Sequence, residues 1–70
     1  MTKSYMVGYK DRNVNVFDQD GKLIRRFKAK AKVVNAQITG PHQNPNIAVS
    51  TEDGKVAIYS TSGMIIRQST

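Results

Sequence analysis

Cysteine and tryptophan are absent from this chain, and histidine occurs once. Without cysteine there is no disulfide and no thiolate site for zinc or an iron–sulfur cluster. One imidazole, His42, does not complete a metal site within a single chain, so neither a metal nor a cofactor is expected. Acids are scarce: five Asp and Glu stand against eleven Lys and Arg, for a net charge of +6. Those five, Asp11, Asp18, Asp20, Glu52 and Asp53, sit in or beside turn-forming stretches, where carboxylates bond backbone amides more often than they move protons. His42 has no nearby carboxylate in sequence to orient it as a base. The expectation is a protein that is not an enzyme. No run approaches the roughly 20 apolar residues of a membrane-spanning helix. The opening "MTKSYMVGYK" holds no apolar stretch of the about 7–15 residues found in a secretory leader. These absences together point to a cytoplasmic protein with no membrane partner.

What the chain does contain is short β-branched and aromatic runs separated by turn residues. The pattern predicts seven strands, at 4–9, 13–18, 22–27, 32–39, 47–51, 55–60 and 64–68. "DQDGK", "EDG" and "TSG" supply turns in which Gly accepts positive φ. "GPHQNPN", residues 40–46, carries two Pro and one Gly and reads as a loop. The one competing helix covers 22–37, which is rich in Ala, Lys, Arg and Leu. It fails on patterning, because residues 28–32 offer no large apolar side chain to continue a buried face.

The chain also repeats itself. "NVNVFDQDGKLIRRF" from Asn13 aligns with "KVAIYSTSGMIIRQS" from Lys55, 42 residues on. The alignment extends without a gap over 5–26 and 47–68, with six of 22 pairs identical: Val7/Val49, Asp11/Asp53, Val14/Val56, Gly21/Gly63, Ile24/Ile66 and Arg25/Arg67. A repeat near 42 residues built from short strands resembles a β-propeller blade of the WD40 type. Phe17-Asp18 stands where that family carries Trp-Asp. "KVVNAQITG" resembles a blade's first strand, and "NIAVSTEDGKVAIYSTSG" its second and third. No Gly-His pair precedes the first strand, where the chain reads "KAKAK", and Tyr59-Ser60 replaces Trp-Asp in the second unit. The resemblance therefore implies a generic propeller-like blade without the buried tetrad of that family. The expected fold is one small all-β domain over 1–70, made of antiparallel meanders in two blade-like sheets of three plus four strands.

Two blades cover one face of each other and leave two faces over. Burying a single Leu, Ile or Phe side chain is worth about 1.5–3 kcal/mol. Leaving four to six of them bare therefore rivals the whole stability of a small domain, about 5–15 kcal/mol. Seventy residues make a marginal core in any case. The expected remedy is a homo-oligomer, and the expected role is a protein-binding scaffold, as the propeller resemblance implies. The rival arrangement folds the two sheets onto each other as a compact seven-stranded sandwich or barrel.

Two further segments are candidates for binding. "KLIRRFKAKAK" contains no acid, and Arg25, Arg26, Lys28, Lys30 and Lys32 could contact a nucleic-acid backbone. If the segment is fully extended, Arg26, Lys28, Lys30 and Lys32 point to one side. The same cations could equally keep an exposed edge soluble. In the loop, His42, Gln43, Asn44 and Asn46 offer polar groups to a protein partner. A ring that pools ligand or active sites between chains is the remaining alternative.

Overall fold

Turn chemistry sets the boundaries of the strands. The computed structural model describes residues 5–40 and 44–68. It contains β1 (Met6–Lys10), β2 (Asn13–Phe17), β3 (Leu23–Lys28), β4 (Val33–Thr39), β5 (Asn46–Thr51), β6 (Val56–Ser60) and β7 (Ile65–Gln68). Three of the turns share one design, at Asp18–Lys22, Thr51–Lys55 and Ser60–Met64. In each, the first residue's N–H donates to the fifth residue's carbonyl, at 2.9, 3.0 and 2.8 Å respectively. The N–H of the fourth, always a glycine, donates back to the first carbonyl at 3.0 Å. Those glycines, Gly21, Gly54 and Gly63, have φ of 83°, 83° and 92°, a region that a Cβ makes costly. In two of these turns the first residue's own side-chain oxygen accepts later amides of the turn. Asp18 Oδ1 accepts the amides of Asp20 and Lys22, both at 2.9 Å. Ser60 Oγ accepts those of Ser62 and Met64 at 3.3 and 3.2 Å.

All neighbouring strands pair antiparallel, in two sheets of order β1-β2-β3 and β4-β5-β6-β7. The fold is all-β, and the range proposed as a competing helix is two strands joined by a bend. No helix among the described residues is long and apolar enough to cross a membrane. The β2–β3 and β6–β7 hairpins share their register at a spacing of 42: Val16 pairs with Arg25 as Ile58 pairs with Arg67, and Phe17 with Leu23 as Tyr59 with Ile65. Both slip at the same place, between Val16 and Phe17 and between Ile58 and Tyr59. The first strands are related differently. Val7 faces Val16, whereas Ala48 faces Ile58, so the spacing there is 41 and the gapless alignment slips by one residue. The cause is turn length, since the β1–β2 loop has two residues between paired Lys10 and Asn13. Asp11 fits that loop by adopting φ 55°, which Asp tolerates better than most side chains.

Residues between β3 and β4 carry the chain from one sheet to the other, and backbone hydrogen bonds hold this connection at both ends. Ala29 N–H donates to Arg12 O at 2.7 Å and Val33 N–H to Asp11 O at 2.7 Å. On the other sheet, Glu52 N–H donates to Lys32 O at 2.8 Å. The sheets then meet face to face over Val14, Val16, Ala29, Val33, Ile47, Val49 and Tyr59. Val14, Val16 and Ile47 are wholly excluded from solvent. The Phe27 and Tyr59 rings lie 4.5 Å apart, tilted by 33°. Tyr9 Oη donates to Val34 O at 3.0 Å across the same gap. Among the described residues no buried side-chain polar atom lacks a hydrogen-bond partner. Seven apolar side chains are buried between the sheets among the described residues, a small interior.

Candidate interaction surface

Residues paired across an antiparallel ladder share a face, so the outward surfaces follow from the register. Val14 and Val16 point inward on β2, which sends Phe17 outward, with its partner Met6 beside it. The Phe17 ring lies over Gly8, where an added Cβ would sit 3.7 Å from Cε1. Asn15 and its neighbour Arg26 share this face, and Arg26 Nε donates to Asn15 Oδ1 at 2.8 Å. Lys10, Asn13 and Lys28 complete it. On the second sheet Tyr59 and Val49 point inward. Ile58 and Val56 therefore point outward, with Ala48, Ser50, Gln37 and Arg67 as their paired neighbours.

Large apolar side chains remain in solvent on these faces and along the edges. Met6, Val56, Leu23, Ile24, Val34, Met64, Ile65 and Ile66 are all exposed, from 40% for Val56 to 70% for Met64. Three of them, Ile24, Val34 and Ile66, fall at the register shifts of β3, β4 and β7. The adjacent pairs Leu23-Ile24 and Ile65-Ile66 therefore do not alternate cleanly between faces. Each is placed by a bulge on a strand at the edge of its sheet.

The basic strip is not one straight edge. Arg25, Arg26 and Lys28 belong to β3, with Arg26 and Lys28 on the outward face and Arg25 opposite Val16. The strand then ends, and Lys30 and Lys32 lie on the connection between sheets. Lys30 Nζ donates to Gln68 Oε1 on β7 at 3.2 Å. A signal for this was present in the sequence: Ala29 interrupts the cations with a small residue, and the structure buries it. Of the proposed loop residues, His42 and Gln43 lie outside the described residues. Asn44 is exposed, while Asn46 opens β5 opposite Thr39 and Ser60.

A shallow depression lies beside the connection, lined by Lys30, Thr51, Asp53, Lys55, Tyr59 and Gln68 among others. The Thr51 hydroxyl donates to the Asp53 carboxylate. This bond, chiefly, together with the amide and ammonium of Lys55, holds Asp53 below its usual pKa. Burial raises the Tyr59 phenol. Among the described residues no three His, Cys, Asp or Glu cluster as metal ligands. Comparison with family models, with curated proteins and with solved structures returned no match.

Proposed function

We propose that this is a non-enzymatic, propeller-like protein that self-associates and serves as a protein-binding scaffold. One observation supports this most: each sheet buries one face against the other, and apolar side chains lie on both outward faces, exposed Met6 and half-buried Phe17 on one, exposed Val56 and half-buried Ile58 on the other. Side chains of this kind are each worth about 1.5–3 kcal/mol when covered, a large share of what so small a domain retains. Sedimentation of the full chain at micromolar concentration tests the reading. A mass of several copies is expected, and a clean monomer would remove it.

A second reading concerns nucleic acid, and the outward face of the first sheet favours it. Lys10, Arg26 and Lys28 lie there beside Asn13, Asn15 and Phe17, a combination suited to a phosphate backbone and a stacked base. Replacing Lys10, Arg26 and Lys28 by Gln is then expected to abolish an electrophoretic shift with single-stranded nucleic acid while the circular dichroism stays unchanged.

A further inference from the structure

The repeat and the packing together specify a direction. Residues 42 apart occupy the same position in their hairpins, by turn, by bulge and by pairing. Yet they face opposite ways across the interior. Val14 and Val16 are buried between the sheets, while their counterparts Val56 and Ile58 are on the outward face of the second sheet. Conversely Tyr59 is buried between the sheets, while its counterpart Phe17 is on the outward face of the first. A two-fold relation between the sheets would put both counterparts inside. The sheets are instead stacked front to back. The chemistry that packs the interior, a pair of β-branched side chains on one sheet and an aromatic on the next, is thus written a second time, once on each outward face.

We propose that copies of this chain stack head to tail through those faces: Ala48, Val56, Ile58 and Arg67 of one copy against Met6, Asn15, Phe17 and Arg26 of the next. The partner is a second copy of this chain, and the contact continues the intersheet packing already present in each molecule. The inference rests on the self-association proposed above and adds its geometry. A second pair of counterparts supports it. Inside the molecule, Arg25 and Phe27 of the first sheet cover the turn at Gly63, where an added Cβ would sit 3.5 Å from Phe27 and 3.7 Å from Arg25 Cδ. The counterpart turn at Gly21 has nothing within 4 Å of that position, and the counterpart of Arg25 is Arg67 on β7. In the stack, Arg67 of one copy covers Gly21 of the next, and both positions have the same residue in the two units.

Charge separates this contact from the nucleic-acid reading. Lys10, Arg26 and Lys28 lie on one outward face and Arg67 on the other, so like charges meet and apolar contact must hold the copies together. Added salt screens that repulsion, and self-association tightens with salt, whereas phosphate contacts weaken.

Two variants test the geometry, each blocking one face. Met6→Lys, with Asn15→Lys as its alternate, blocks the first sheet. Ile58→Lys, with Ala48→Lys as its alternate, blocks the second. Circular dichroism selects, for each face, a variant that keeps the strand signal. Head-to-tail stacking predicts that each variant alone sediments as a monomer and that an equimolar mixture gives a species of two copies and nothing larger, since only one unblocked pair of faces remains. A dimer formed by either variant alone would overturn the proposal in favour of a face pairing with itself. Folded variants that stay monomeric when mixed would overturn it as well. A wild-type monomer would instead remove the self-association reading, and the stacking with it. A wild-type monomer that binds single-stranded DNA, with affinity falling as salt rises, would assign the first sheet's outward face to phosphate.

Discussion

Gly21 and Gly63 sit in identical turns with φ of 83° and 92°, yet their surroundings differ. A Cβ at Gly21 meets nothing, whereas at Gly63 it meets the Phe27 ring carbon Cδ1 and its Cβ at 3.5 Å. Gly21→Ala is expected to cost only the left-handed backbone penalty, about 1–2 kcal/mol. Gly63→Ala carries the same penalty, but its methyl reaches Phe27 at ordinary van der Waals distance and gains that contact, so it is expected to lose less than Gly21→Ala. Urea denaturation of the two variants, compared below the concentration at which copies associate, reads the difference directly. Equal losses would show that β3 does not bear on this turn. Thr51 gives a second residue-scale prediction. Its hydroxyl lowers the Asp53 pKa, so the folded carboxyl titrates below the unfolded one. The stabilising contribution is therefore present above the unfolded pKa and is lost as pH falls through the folded value, in the acid range. Thr51→Val is expected to move the Asp53 titration upward, toward the ordinary carboxylate range, in an NMR pH series. An unmoved titration would discard the hydroxyl as the cause.

Strands were the most legible part of the sequence. Turn residues such as Asp18-Gln19-Asp20-Gly21 and Thr61-Ser62-Gly63 mark where pairing stops, and β-branched runs mark where it resumes, so the seven predicted strands lie within two residues of the observed bounds at either end. The bulges were not legible. Ile24, Val34 and Ile66 look like ordinary strand residues, and only the pairing partner shows that each is one too many. The break between the third and fourth strands was legible, but its path was not, because Lys-Ala-Lys-Ala-Lys alternates as an extended segment would. What ends the strand is long-range bonding to Asp11, Arg12 and Glu52, which no local pattern announces. At this scale the central strand β5 bears most of the second sheet, with Ile47 wholly buried between Ile38 on one side and Tyr59 on the other. Ile47→Ala is expected to cost about 2–5 kcal/mol, enough to unfold a domain of this size, with loss of the sheet signal in circular dichroism. A change within experimental error would mean that β5 is not the keystone of the core.

For the whole molecule, the proposed stack has consequences for copy number. Each chain supplies two sheets, so a stack that closed as a propeller does, at about 4–8 blades, would hold two to four copies. Sedimentation is expected to give one such multiple of the 7.8 kDa chain, independent of concentration above the association threshold. A mass that keeps growing with concentration would mean a rotation that does not close, and hence a filament. Sideways growth is governed by a different feature. Strands β3, β4 and β7 each border a sheet and each contain a register shift, which spoils them as templates for a foreign strand. β1 also borders its sheet, but it pairs with β2 over five residues without interruption. Any runaway fibrillisation by this protein should therefore nucleate on the Met6–Lys10 backbone, and a single proline at Tyr9 would be the place to stop it.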